Sequence, residues 1–317
     1  MDTQNTTIWI GVDVSKKELE LHTYDLALKL EPTISNSKPA IKKLIAKLQT
    51  RPEIQFIFEA TGGYEKLLLI LLQSENIAAS RINPALARNY AKAKGLLAKT
   101  DSLDAQILTD YGSQFQPRIT DPIDPVLDEI QCLIKYRRQL IDELHRARMQ
   151  REHKLPKSVE TMLKARIKYL ENHIQKTTQK VISIKDKSPS LHQAIKLLTA
   201  TKGVGDNSAL SLIVAMPELG TLSSKQAASL AGLAPFNRDS GSMRGTRKIY
   251  GGRKDARQAI YMAALTATRY NDILKAFYQG LLARGKSKKL ALTAVMRKLL
   301  CYLNSLMRKH LEQIQTS

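Results

Sequence analysis

The run Ile54-Gln55-Phe56-Ile57-Phe58-Glu59 constrains the fold more than any other stretch of the chain. It is short for a helix, and its apolar residues follow one another without polar alternation. Such a segment reads as a strand buried on both faces, which requires helices above and below the sheet. Upstream, Ile8, Ile10, Val12 and Val14 alternate with Trp9, Gly11 and Asp13, the pattern of a two-faced strand. Leu19 to Tyr24 reads as a second strand, antiparallel to the first, and Leu28 to Thr33 as a third. Lys38 to Gln49 has helical spacing at Ile41, Leu44, Ile45 and Leu48. After the buried strand come a helix over Tyr64 to Gln73, a strand over Ile77 to Ile82 and a helix over Pro84 to Lys94. Another helix begins at Asp101 or just before it. A meander followed by strand–helix alternation predicts an α/β domain over residues 1–120, a mixed sheet flanked by helices.

Residues 121–190 read as long helices. Leu127, Ile130, Ile134, Ile141 and Leu144 recur at helical spacing, and after Pro156 the pattern resumes at Val159, Leu163, Ile167, Leu170, Ile174, Val181 and Ile184. A narrow apolar stripe with charged flanks fits a coiled-coil hairpin or a dimer seam, and equally well helices packed on their own domain. Residues 191–317 read as an all-α domain with glycine-rich connections. The longest strongly apolar stretch lies around Leu67 to Leu72, and the opening residues Met1 to Thr7 are polar. No membrane span and no signal peptide are expected. Two cysteines, Cys132 and Cys301, make no disulfide framework and point to a reducing cytoplasmic setting, nucleoid-associated if the partner is DNA. The six histidines show no metal-ligand spacing, so any metal has to be held by carboxylates.

Lysine and arginine total 50 against 29 acids, a net charge of +21. The excess is uneven: +2 over residues 1–120, +5 over 121–190 and +14 over 191–317. The carboxy-terminal third is a strong cation, while the first third keeps its acids. That division points to chemistry at one end and a grip on a polyanion, nucleic acid first, at the other. A solvated basic surface is the alternative.

Four acids in the first third carry the chemical reading. Asp13 lies at the end of the first strand, and Glu59 ends the buried one. Asp101 and Asp104 are three residues apart, on one face of a helix start. Carboxyl ends of strands are where sites in open α/β sheets usually lie. Four acids converging there would repel one another unless a cation neutralised them, and oxygen ligands in that number suit Mg2+ or Mn2+. Each acid alone is equally explained as a helix cap or a solvated loop residue, although Glu59, following an apolar run, needs a partner to offset its desolvation.

A second site candidate is the stretch Phe236-Asn237-Arg238-Asp239-Ser240-Gly241-Ser242-Met243-Arg244-Gly245-Thr246-Arg247-Lys248. Small residues let backbone approach a phosphate, and Arg238, Arg244, Arg247 and Lys248 suit its oxygens. Ser240 or Ser242 serves as a nucleophile if another group takes its proton; otherwise the stretch is a plain phosphate-binding loop. Lys202-Gly203-Val204-Gly205, between two predicted helices, fits a helix-hairpin-helix that offers backbone N–H groups to DNA phosphates, or an ordinary turn.

These residues resemble the DEDD-type transposases and Piv-like DNA invertases of the insertion-sequence-110 family. The resemblance covers nearly the whole chain. It rests on Gly11-Val12-Asp13-Val14-Ser15-Lys16, Phe58-Glu59-Ala60-Thr61-Gly62-Gly63-Tyr64, Ile82-Asn83-Pro84-Ala85 and Lys99-Thr100-Asp101-Ser102-Leu103-Asp104-Ala105. It continues in Lys202-Gly203-Val204-Gly205, Leu230-Ala231-Gly232-Leu233-Ala234-Pro235, Ser240-Gly241-Ser242 with Arg244-Gly245, and Met296-Arg297-Lys298-Leu299. It implies an RNase H-like (RuvC-like) amino-terminal domain whose metal-binding catalytic acids are Asp13, Glu59, Asp101 and Asp104, and a helical transposase domain whose nucleophile is Ser240. It further implies a 5′-phosphoserine intermediate on double-stranded DNA, a composite site shared within a homodimer or tetramer, and, in some members, a structured guide (bridge) RNA. Two alternatives remain beside this recombinase: a RuvC-like nuclease using activated water, and a non-catalytic nucleic-acid-binding protein.

Overall fold

The computed structural model of the chain describes residues 7–48, 51–96, 101–236 and 248–316. They form two compact units, Met1–Ile123 and Asp124–Ser317. The first holds five strands, β1 (Ile8–Val14), β2 (Glu18–His22), β3 (Thr33–Ser35), β4 (Ile54–Glu59) and β5 (Ala78–Ile82). Four helices accompany them: α1 (Lys38–Leu48), α2 (Lys66–Ser74), α3 (Pro84–Ala93) and α4 (Asp101–Phe115). The sheet runs β3-β2-β1-β4-β5. The first three strands form an antiparallel meander, and β4 and β5 then add parallel to β1 through helical crossovers.

Both faces of this sheet are covered. Ile10, Val12, Val14, Phe56 and Phe58 pack with Ile41, Leu44, Ile45 and Leu48 of α1 and Leu68, Leu69 and Leu72 of α2. On the other face Trp9, Ile57 and Ile82 pack with Ala87 of α3 and Leu108 of α4. The expected third strand over Leu28 to Thr33 is corrected. Leu26–Leu28 instead form a short 3-10 turn, whose start is capped by the Asp25 side chain, and Lys29 takes a left-handed conformation with φ 45°. The strand begins only after Pro32, whose ring removes a ladder donor.

The second unit is built from α5 (Pro125–Arg151), α6 (Lys157–Asp186), α7 (Pro189–Thr199), α8 (Asp206–Ala215), α9 (Ser224–Leu230), α10 (Lys254–Tyr270), α11 (Asp272–Ala283) and α12 (Lys288–Thr316). It is not all-α. Pro235–Phe236 (β6) and Lys248–Ile249 (β7) pair as an antiparallel ribbon. Helices α5 and α6 lie antiparallel to each other. Near their junction Leu140, Leu144 and Ala147 pack against Leu163, Ile167 and Leu170. At the far end Ile130 and Val181 join the main core formed by α7–α12. Arg137 bonds Thr178, and Arg148 pairs with Glu171 across the seam.

The expectation that no segment reaches membrane-spanning length is also corrected. Helix α12 is long and apolar enough by length and composition alone. Packing accounts for its apolarity: Ala291, Val295, Leu299, Leu303 and Met307 are buried, while Arg297, Lys298 and Arg308 are exposed. Asn304, only 1% exposed, adds a polar anchor, accepting from Gly220 N–H at 2.9 Å and donating to Leu222 O at 2.7 Å.

Candidate active site

The ladder between β1 and β4 brings two of the expected acids together. Ile8 faces Ile54, and the parallel register runs on to Val12 facing Phe58. The next residues along are Asp13 and Glu59, neighbours at the carboxyl ends of strands about 4.8 Å apart. They share the face that carries Trp9, Gly11 and Ile57, the face covered by α4. Both side chains are partly exposed.

Helix α4 seats deeply on that face. A Cβ on Gly11 would stand 2.1 Å from the Ala105 carbonyl oxygen and 2.5 Å from Thr109 Oγ1, and one on Gly112 would stand 2.5 Å from the Trp9 ring. Glycine at position 11 is therefore what admits the helix. The contacts also fix its direction: Gly112 sits at Trp9 and Ala105 at Gly11, so α4 runs antiparallel to β1. Its first residue, Asp101, is one turn before Ala105, at the level of Asp13. Asp104, partly buried, lies in the same opening stretch. The sheet edge and the start of α4 thus bring all four expected positions to one end of the first unit. The side chain of Asp101 is outside the described residues, and among those described no three acidic, histidine or cysteine side chains form a ready-made metal cage.

The seat is locked by Thr109, 2% exposed. Its hydroxyl accepts from Gly11 N–H at 3.1 Å and lies 3.0 Å from both His22 Nδ1 and His22 O. Burial pushes the His22 pKa down against the opposing pull of Asp110, which favours the neutral imidazole. The next residue, Asp110, accepts from Tyr24 OH at 2.6 Å and pairs with Lys94. Burial raises its pKa, but the Lys94 and Tyr24 bonds outweigh that and keep it below the usual carboxylate range.

A fifth acid, Glu65, was not among the sequence candidates. It lies at the start of α2, six residues past Glu59, and only 3% of it is exposed. Its Oε2 accepts from Thr61 N–H at 3.2 Å, Thr61 OH at 3.0 Å and Gly63 N–H at 2.8 Å. Its Oε1 faces the Arg81 guanidinium at 3.5 Å. Burial raises its pKa, yet the donors prevail and hold it below the ordinary value. Nearby, Asn36 Nδ2 donates to Ser15 O at 2.9 Å and to Tyr64 O at 3.1 Å, joining the turns that follow β1 and β4. The glycine pair Gly62-Gly63 was the available sequence signal for this structured turn.

In the second unit, Arg238, Ser240, Ser242, Arg244 and Arg247 lie outside the described residues, as does the side chain of Lys248. What is described is the stem. Phe236 pairs with Lys248 and Pro235 with Ile249, so the stretch leaves and returns at one place. Below the ribbon, backbone meets backbone. A Cβ on Gly232 would stand 2.1 Å from Gly251 O, and one on Gly252 2.1 Å from Gly232 N. Arg257 donates to Gly251 O at 2.6 Å, and Arg253 grips Glu218 through two bonds of 2.7 Å. Arg253 and Glu218 were also missed from sequence; the pair Gly251-Gly252 was the visible clue.

Lys202, Gly203 and Gly205 lie in the turn between α7 and α8. Lys202 is exposed. Gly203 packs on α10, where a Cβ would stand 2.4 Å from Ala267 Cα. Gly205 caps α8 with open space where a Cβ would stand, and Lys185 reaches Asp206 in the first turn of that helix at 3.7 Å.

Two family models match the chain, the first of them across the boundary between the units. Residues 10–158 match a family model of the IS110 DEDD type described as a transposase, and residues 195–279 match one described as transposase of the IS116/IS110/IS902 family. The pilin gene-inverting proteins of Moraxella bovis and Moraxella lacunata are each 28% identical over 315 residues, covering 95% of this chain and 96% of theirs.

Proposed function

We propose that this chain, which belongs to the IS110 family of transposases, cuts and rejoins DNA through a serine nucleophile and a divalent cation. Family membership makes it a DNA recombinase; the chemistry of the two sites supports the rest. The observation that carries the reading is the register that sets Asp13 beside Glu59, under a helix that starts with Asp101 and Asp104. Those donors are all carboxylate oxygens, which fit Mg2+ or Mn2+ and would hold it there. When bound, the cation supplies charge neutralisation at phosphate and makes an attacking hydroxyl more acidic.

The chain's own residues do the remainder. Arg238, Arg244, Arg247 and Lys248 bind the non-bridging oxygens of the target phosphate. The Ser240 Oγ–phosphorus bond forms as the bond to the 3′ oxygen breaks. The serine proton passes to a base at the acidic edge and from there to the departing 3′ oxygen, so the released strand carries a 3′-hydroxyl. The 5′-phosphoserine link conserves the bond energy, so reversal onto a new 3′ end rejoins the strand without ATP. Because acids and serine belong to different units, the reading requires a composite site, completed within a homodimer or tetramer on double-stranded DNA. Here α5 and α6 act as the coiled-coil dimerisation segment, and the five-stranded sheet as an RNase H-like (RuvC-like) domain, a view supported by its meander followed by parallel crossovers. The turn before α8, with exposed Lys202 and with open space where a Cβ on Gly205 would stand, grips flanking phosphates. A structured guide RNA is a further partner in this reading, and sequencing RNA that co-purifies with the protein tests it.

The assembly of the acids within the first unit alone favours a second reading, a nuclease that uses activated water and in which Ser240 merely binds phosphate. A suicide DNA substrate separates the two. The recombinase forms a covalent protein–DNA adduct that is lost in Ser240→Ala and kept in Ser242→Ala. Strand hydrolysis that survives Ser240→Ala sinks the serine mechanism. In both readings Asp101→Asn and Asp104→Asn bind DNA and fail to cut it.

A further inference from the structure

We infer that Glu65 is a positioning residue for the acidic edge: it holds the turn that follows Glu59, while Asn36 ties that turn to the one that follows Asp13. The inference rests on the metal-site reading above.

Three observations lead to it. Glu65 is a carboxylate, buried, at the same end of the sheet as Asp13 and Glu59, which at first makes it a candidate ligand. Its oxygens are already engaged, however. Oε2 takes three donors from Thr61 and Gly63, and Oε1 faces Arg81. A carboxylate so occupied organises backbone rather than binding a cation. The backbone it organises is the segment that carries the chain away from Glu59, with Ala60 N–H still bonded to Ile82 O at 3.1 Å. Arg81 fixes the other side of Glu65 from β5, so the turn is braced against the neighbouring strand.

The Asn36 amide completes the brace. One NH2 group spans two carbonyls, that of Ser15, two residues past Asp13, and that of Tyr64, five past Glu59. Asn36 is itself fixed, its N–H donating to Lys17 O at 2.7 Å. The strand register fixes Asp13 and Glu59 only up to their own ends. Beyond those ends the spacing of the two acids depends on the turns, and Glu65 and Asn36 are what join them. A site that must hold a small cation depends on ligand spacing to a few tenths of an ångström, and partners that orient ligands govern its affinity.

The test is direct Mn2+ binding to the full-length protein, followed by electron paramagnetic resonance of the free ion, beside strand cleavage and thermal melting. Glu65→Gln keeps a carbonyl acceptor and loses the charge. It is expected to weaken Mn2+ binding about tenfold, and raised Mn2+ is expected to restore cleavage. Glu59→Gln and Asp13→Asn are not rescued by any concentration. Thr61→Val, which removes one donor and leaves the Glu65–Arg81 pair intact, and Asn36→Ala are expected to move the Mn2+ midpoint in the same direction. They carry the test if Glu65→Gln melts below the assay temperature. Unchanged midpoints in folded Glu65, Thr61 and Asn36 variants, with the wild type binding normally, overturn the positioning role alone. A wild type without saturable Mn2+ uptake overturns the metal reading and this inference with it.

Discussion

A single absent methyl group sets the depth at which α4 rests on the sheet. Gly11→Ala would drive a carbon into the Ala105 carbonyl and Thr109, and backbone cannot step aside as a flexible side chain can. The substitution is expected to cost about 1–3 kcal/mol, the usual range for overpacking, and to abolish cleavage by displacing Asp101 and Asp104 from Asp13. Urea unfolding and a cleavage assay on the same preparation measure both effects; full activity with wild-type stability would refute the seating. Glu65 gives a second expectation at this scale. Its folded pKa lies below the ordinary carboxylate value, so its ionisation stabilises the native state at neutral pH. That contribution is full above the unfolded value, about 4.3, and is lost as pH falls through the depressed folded value. The stability gap between wild type and Glu65→Gln is therefore expected to narrow from pH 7 toward pH 3. A gap that widens on acidification would contradict the ionised, donor-held carboxylate.

Among the elements, the ribbon of β6 and β7 has the largest consequence for chemistry. Gly252→Ala would press a Cβ onto Gly232 and prise apart the base of the stem. The expected result is loss of the covalent DNA adduct, with Mn2+ binding at the acidic edge unchanged, since the two belong to separate units. Adduct formation that survives the substitution would show the stem to be dispensable. The elements also differ in how plainly the sequence announces them. Strands β1 and β4 are legible because alternation and continuous apolarity are local signals that burial later confirms, and Asp13 and Glu59 can be read from where those strands end. The strand expected over Leu28 to Thr33 fails because Asp25 caps a competing turn and Pro32 delays the ladder. The ribbon escapes notice because two-residue strands have no periodicity. Glu65 is illegible for another reason: a buried acid is recognised by Arg81, which lies on β5, beyond α2, and comes near only once the sheet is formed. The apolarity of α12 is visible, but its partners in the core are not.

Across the whole molecule, charge and acids are divided between the units. The second holds 35 of the 50 lysines and arginines, whereas the acids of the expected metal site all belong to the first. DNA affinity is thus expected to fall steeply with salt, and the slope of log K against log salt to drop by about one in Arg247→Ala. Asp104→Asn is expected to leave that slope unchanged. An Arg247→Ala slope equal to wild type would remove that side chain from the phosphate contacts. The paired stem also has an evolutionary corollary. Since the eleven residues between Phe236 and Lys248 depart and rejoin through one hydrogen-bonded gate, insertions or deletions inside it leave the register of α9 and α10 untouched. A change of length there is expected to alter reactivity while the flanking scaffold is kept.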